Sequence, residues 1–204
     1  METLDRRVEL VDERLATLVD DESLAVLAER LRHITLSGGK RVRPAVTLLS
    51  CEATGGDPED AVEFALGVEL VHNASLVVDD IIDRSALRRG TDSAWAAFGH
   101  GPALIASDGL LGEAFALFSA NPRATQIVAE ALVELGEGEA TELVEEPGDE
   151  AAYMELARRK TGALFRAAAE LGAVAADADA VTVEALGEYA EHVGIAFQIR
   201  DDVL

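Results

Sequence analysis

Apolar residues recur three or four positions apart along almost the whole chain, the spacing that stacks side chains on one face of a helix. Residues 3–34 show it at Leu4, Val8, Val11, Leu15, Leu18, Leu24, Leu27, Leu31 and Ile34, with an acidic interruption at Asp20-Asp21 and a stop at Gly38-Gly39. A second helix is predicted from Pro44, a residue suited to a helix start, to Thr54, ahead of Gly55-Gly56. Asp57-Pro58 then reads as the cap and first residue of a long helix over 58–86. That segment is apolar nearly all round (Val62, Leu66, Val68, Leu70, Val71, Leu76, Val77, Ile81), so it belongs at the centre of the protein. Further helices are expected at 103–119, 122–145, 149–175 and 181–204, and no segment alternates as a strand does. The pattern predicts an all-α bundle, with residues 1–204 as one domain. The last helix runs through Ile195, Phe197, Ile199, Val203 and Leu204 without a closing signal, as expected of a chain lacking the C-terminal part of its domain.

Composition fits that picture: 49% of the 204 residues are hydrophobic, enough for a real core, and aromatics are scarce at 4%. Charge adds something new. With 39 acidic against 17 basic residues the net charge is −22, which repels nucleic acid and anionic membranes alike. A solvated acidic shell of this kind suits a high-salt cytoplasm, where charges are screened over about 3 Å at 1 M salt. Cys51 is the only cysteine and lies in an apolar run, so it is read as a core residue in a reducing, cytoplasmic compartment. Residues 101–120 resemble a membrane span, but Asp108 and Glu113 interrupt them and favour a buried core helix. Only two lysines occur, Lys40 and Lys160, which singles out both places.

The chemistry concentrates in Val78-Asp79-Asp80-Ile81-Ile82-Asp83, near the end of the most apolar helix. Asp79 and Asp83 are one turn apart and project from one face; Asp80 lies about 100° round. Carboxylates on such a helix must be paired or bind a cation, and a hard divalent ion bridging to phosphate oxygens fits them. An acidic helix end on an acidic protein is the plainer alternative. Arg84, Arg88 and Arg89 follow at once, and guanidinium forks beside metal-binding acids describe a diphosphate site. Upstream, Ser37-Gly38-Gly39-Lys40-Arg41-Val42-Arg43-Pro44 sets a Gly-Gly turn before three cations, a second anion site. Two anion sites imply two phosphorylated substrates.

These segments resemble the trans-isoprenyl diphosphate synthases. Gly39-Lys40-Arg41-Val42-Arg43-Pro44 is similar to their G-K-x-x-R-P signature, and His72-Asn73-Ala74-Ser75 through Asp83, with Arg88-Arg89-Gly90, to their first aspartate-rich motif. Ser107-Asp108-Gly109-Leu110-Leu111 resembles their G-D-x-L-L helix start, Lys160-Thr161 their K-T pair, and Phe197-Gln198-Ile199-Arg200-Asp201-Asp202 the opening of their second aspartate-rich motif. The order matches across the whole chain, and both lysines fall in motifs.

The resemblance implies an isoprenoid-synthase-type bundle around a central metal and diphosphate cavity. It also implies Mg²⁺-dependent condensation of isopentenyl diphosphate with an allylic diphosphate, through three Mg²⁺ ions held by way of the substrate diphosphate. On it, Asp79, Asp80, Asp83 and Asp201 are the metal ligands, and Asp202 joins them in the catalytic set. Arg88, Lys160 and Gln198 contact the allylic diphosphate, while the oxygens of Thr161 and Gln198 face the developing cation. Gly39, Lys40, Arg43, His72 and Arg89 bind isopentenyl diphosphate. Ala74 and Ser75, five and four residues before the first aspartate, line the chain-length pocket; both are small, which implies a product of twenty carbons or more. A homodimer follows from the family, a heteromer being the alternative.

Several positions depart from the pattern. Thr91-Asp92-Ser93-Ala94-Trp95 stands where the family continues with Pro-Thr and a His. Gly138-Glu139-Ala140-Thr141-Glu142 replaces Gly-Gln-x-x-Asp and reads equally as a solvated face. The second aspartate-rich motif stops at Leu204, before its last aspartate. A non-catalytic partner subunit or inactive fragment, and a class I terpene cyclase, are therefore the rival readings. The cyclase has no use for a second diphosphate site.

Overall fold

The computed structural model describes residues 2–20, 26–144 and 147–203, so the predicted core position Leu24 and the terminal Leu204 lie outside the described residues. The described chain is helical almost throughout: α1 (Glu2–Val19), α2 (Ala28–Thr35), α3 (Val42–Ala53), α4 (Val62–Ile82), α5 (Ala94–Phe98), α6 (His100–Phe118), α7 (Pro122–Val144), α8 (Glu150–Ala157), α9 (Ala163–Ala175) and α10 (Ala180–Val203). The all-α expectation holds. The chain divides into two compact units: Met1–Ala45 with Leu66–Phe118, and Val46–Ala65 with Ser119–Leu204.

In the first unit, α2 packs on α1, α5 and α6. The predicted apolar stripe is the buried one: Val11 and Leu15 of α1 and Leu31 of α2 are fully buried. Each buried Leu contributes roughly 1.5–3 kcal/mol. Helix α4 supplies Val68, Leu70 and Val71 to the core, and α6 approaches it through small residues. The buried Ser107 hydroxyl donates to the Ala74 carbonyl at 3.0 Å, and the Phe118 ring fills the notch at Gly67.

The expected helix 58–86 begins as predicted and ends early. The Asp57 side chain caps it by accepting from the Glu59 N–H, and Pro58–Ala61 form a 3₁₀ turn before α4. At the far end the Arg84 N–H bonds to the Ile81 carbonyl and the Ser85 N–H to the Asp80 carbonyl, with Arg84 left-handed at φ 55°. This is a Schellman stop, with arginine where glycine is usual. The sequence therefore gave no glycine to mark it. Beyond lies an antiparallel pair, β1 (Leu87–Arg88) and β2 (Thr91–Asp92), that strand alternation did not predict. Arg89 and Gly90 form its two-residue turn, both at positive φ (52° and 83°), as a type I′ hairpin requires.

In the second unit α10 lies along α9, and α7 packs on α9. Gly172 of α9 touches the Thr47 carbonyl of α3, and Gly194 of α10 sits against Phe165 and Gly162. Cys51 is fully buried, as expected of a core thiol, and burial pushes its pKa up. The helix predicted over 149–175 is interrupted at Arg158–Gly162 by a π-helical turn. Helix α6, expected to be buried, is buried on one face only: Ala103, Leu110, Ala114 and Phe118 face inward, while Leu104 and Ile105 are exposed.

Candidate active site

The first unit carries one set of predicted residues at the C-terminal half of α4 and in the segments on either side of it. The Asp83 N–H still bonds to the Asp79 carbonyl at 2.8 Å, so the two aspartates keep helical register. Asp79 is partly buried and Asp83 is exposed. Asp80 is deeply buried at 3% exposure, and both Nε (2.9 Å) and Nη2 of Arg88 donate to its Oδ1. Asp80, expected among the metal ligands, is thus occupied by a guanidinium, while Asp79 and Asp83 share the other face.

The predicted glycine turn receives an arginine. Arg89 Nη1 donates to the Gly38 carbonyl, and a Cβ on Gly39 would lie 2.8 Å from the Arg89 Cζ. Gly39 also holds φ 139°, open only to glycine without strain. Arg43 Nη1 lies 3.2 Å from His72 Nε2. A guanidinium can only donate, so His72 accepts at Nε2 and carries its proton on Nδ1. Burial, and then Arg43, Arg89 and Arg88, hold the His72 pKa well below its usual value and keep the ring neutral. Arg43 is itself pulled down to about 10, by burial first and then by Arg89, with Glu69 and Asp79 opposing. Lys40 is exposed at the edge of the turn.

Arg41 does not belong to this anion site. It is 3% exposed, with Nε on Asp12 (2.7 Å), Nη1 on Glu69 (2.7 Å) and Nη2 on the Thr35 carbonyl (2.6 Å). Its left-handed backbone, φ 48°, aims the side chain inward, and the three bonds offset the roughly 1–2 kcal/mol this conformation costs. Of the three cations predicted at the second anion site, Arg41 is therefore turned to a structural role. Ala74 is buried beneath Ser107, and Ser75 is half-buried with its hydroxyl on the His72 carbonyl at 2.9 Å.

The second unit carries the other set. Lys160 and Thr161 lie in the π-helical turn, where one extra residue per turn re-aims the side chains. Gly138 of α7 lets that turn approach: a Cβ there would meet the Lys160 nitrogen at 3.1 Å. Lys160 Nζ pairs with Glu142 and with Glu139 at 3.5 Å. The Gly138-to-Glu142 stretch is therefore no mere solvated face. Thr161 Oγ1 donates to Gln198 Oε1 at 2.6 Å, Gln198 Nε2 donates to Asp202 Oδ1 at 2.9 Å, and Tyr153 OH donates to Asp202 Oδ2 at 2.5 Å. Sequence reasoning did not single out Tyr153. Asp201 is exposed, with Arg200 at 3.2 Å.

Among the described residues no three acidic, histidine or cysteine side chains gather into a metal cage. The donor set still fits Mg²⁺, which binds through one or two carboxylates and completes its octahedron with water and substrate phosphates. Asp79 and Asp83, hard oxygen donors a turn apart with one end exposed, offer that arrangement.

Residues 24–204 match the polyprenyl synthetase family. The chain is 37% identical, over its full length and 66% of the relative's, to the short chain isoprenyl diphosphate synthase of Methanothermobacter thermautotrophicus. Among solved structures, the geranylgeranyl pyrophosphate synthetase of Geoglobus acetivorans superimposes with a TM-score of 0.92 at 36% identity, over 98% of this chain and 69% of that one. A polyprenyl synthase from Caulobacter crescentus, complexed with calcium and isoprenyl diphosphate, reaches 0.89 at 34% identity over 98% and 64%. The chain thus spans about two thirds of the length of these relatives.

Proposed function

This chain belongs to the polyprenyl synthetase family, and we propose that it performs head-to-tail prenyl transfer. Isopentenyl diphosphate and an allylic diphosphate condense into a longer polyprenyl diphosphate, of twenty carbons or more given the small Ala74 and Ser75. One observation carries the reading. A single helix, α4, presents a neutral histidine tied to Arg43 and, two turns on, a same-face carboxylate pair. That is an anion pocket followed by a metal-binding edge, and a reaction of two diphosphates has a use for each.

Gly39, Lys40, Arg43, His72 and Arg89 hold isopentenyl diphosphate. Asp79 and Asp83 hold Mg²⁺ against the allylic diphosphate, three ions being expected, and the family pattern gives Asp201 a metal-binding role as well. When bound, the metal neutralises the departing diphosphate, the main electrostatic task of the reaction. Arg88 meets the same diphosphate, steadied by Asp80, so Asp80 acts through Arg88. Lys160 exchanges Glu139 and Glu142 for phosphate oxygen. The allylic C–O bond breaks with both electrons leaving on the diphosphate. The isopentenyl alkene then attacks the cation, and the proton lost from the new chain passes to the departing diphosphate. Thr161 spends its hydrogen on Gln198, so both groups turn oxygen lone pairs toward positive charge. The Caulobacter relative, solved with calcium and isoprenyl diphosphate, supports carrying both ligands to this chain. A homodimer in a reducing cytoplasm is part of the same proposal, supported by the exposed Leu104 and Ile105 of α6 and the buried free Cys51.

Calorimetry with isopentenyl diphosphate tests the reading. Binding is expected without any divalent ion and weakens about tenfold or more in Arg43→Ala, since a charge-assisted bond is lost. A folded protein that takes up no isopentenyl diphosphate contradicts it.

A further inference from the structure

Tyr153 lies outside every motif that carries the family resemblance, yet it is the outer end of a hydrogen-bond chain reaching the residues assigned to the reacting centre. The chain runs from α8 through α10 to the π-helical turn: Tyr153 OH to Asp202 Oδ2 (2.5 Å), Gln198 Nε2 to Asp202 Oδ1 (2.9 Å), Thr161 Oγ1 to Gln198 Oε1 (2.6 Å). All of it lies within the second unit.

The direction of each bond follows from what each group can give. An ionised carboxylate only accepts, a primary amide donates at nitrogen and accepts at oxygen, and a hydroxyl can do either. Asp202 therefore demands the nitrogen end of Gln198, which leaves the oxygen end for Thr161. Thr161 must then donate its only hydrogen, and its lone pairs point elsewhere. If Asp202 could donate, the amide could turn over. Gln198 would then offer N–H groups and Thr161 would accept, reversing the dipoles at that spot. Tyr153 occupies the other carboxylate oxygen and fixes the Asp202 rotamer that Gln198 needs.

We propose that Tyr153 is a positioning residue, which through Asp202 holds the Gln198 amide with its oxygen toward Thr161 and so fixes the polarity of the surface that meets developing positive charge. The hydrogen-bond assignment stands on geometry alone, while its catalytic consequence rests on the prenyl-transfer reading. The hydrogen bond to Asp202 raises the Tyr153 pKa to about 12, so the phenol remains a donor throughout the neutral range.

The chain contains only two glutamines, Gln126 and Gln198. Protein labelled with ¹⁵N at the glutamine side-chain amide therefore gives two NH₂ pairs in a proton–nitrogen spectrum. Tyr153→Phe is expected to shift the Gln198 pair and speed its exchange with water, leaving Gln126 and the thermal midpoint unchanged. In turnover, Tyr153→Phe is expected to lower kcat about tenfold with KM for both diphosphates unchanged, the size of one lost bond to a charged group. Asp202→Asn, which permits the flipped amide, is expected to shift the same pair further and lower kcat more. A Gln198 pair identical in wild type and Tyr153→Phe overturns the proposal whatever the activity. A shifted pair with unchanged kcat confines Tyr153 to structure and overturns its catalytic part. A wild-type chain with no turnover speaks against prenyl transfer, and the spectra still decide the hydrogen-bond assignment.

Discussion

Single residues here are set by what faces them, and two consequences can be measured. His72 is held neutral by burial and by Arg43. Its folded pKa lies below the ordinary value of 6.5, so the unfolded chain takes up the proton first as pH falls. The stability tied to the neutral ring is complete above pH 6.5 and is lost as pH drops from there toward the folded pKa. Urea unfolding at pH 7.5 and 5.5 should show a loss in the wild type that is smaller in His72→Gln. The aspartates give the second consequence. Asp79→Asn and Asp83→Asn should each lower kcat about a hundredfold or more, removing an interaction strengthened in the transition state. Asp80→Asn loosens Arg88 instead, and should mainly raise KM for the allylic substrate, as steady-state kinetics can separate. Sequence spacing alone paired Asp79 with Asp83 and set Asp80 apart. It could not reveal that Arg41 turns inward, because that depends on a left-handed backbone and on Asp12, Thr35 and Glu69, up to 29 positions away. Tyr153 was hidden likewise, since its partner is 49 positions on.

At the scale of elements, helical periodicity found each long helix, and the misses share a cause. Ends marked by glycine were legible: Gly55, at φ 88°, closes α3 with the same Schellman pattern that Arg84 supplies to α4. Arginine carries no such signal, so the sequence pattern extends α4 four residues past its end at Ile82. The π-helical turn at Arg158–Gly162 is invisible in the sequence because it keeps the chain helical and needs no breaking residue, though it decides where Lys160 and Thr161 point. Close crossings are fragile for a related reason. A methyl group at Gly172 would collide with the Thr47 carbonyl, which is backbone and cannot swing away. Gly172→Ala should therefore cost about 1–3 kcal/mol or more in urea unfolding, whereas Gly112→Ala, on open space in α6, should be neutral or slightly stabilising.

Across the whole molecule, charge and exposed apolar surface set the conditions under which the protein works. A net charge of −22 in 204 residues repels itself at low ionic strength, so the thermal midpoint should climb as KCl is raised from 0.1 to 2 M, most steeply at first. Leu104 and Ile105 stand exposed on α6. Sedimentation in molar KCl should show a dimer, and Leu104→Glu with Ile105→Glu should give a monomer, since a charge in such an interface is strongly unfavourable. The most direct test joins the two substrates. Purified protein in molar KCl is mixed with Mg²⁺, isopentenyl diphosphate and an allylic diphosphate, and the products are identified by mass. Prenyl transfer predicts a diphosphate longer than the primer by whole five-carbon units, formed only with both substrates and lost in Asp79→Asn. A folded chain that binds both diphosphates and Mg²⁺ yet yields no longer product would contradict it.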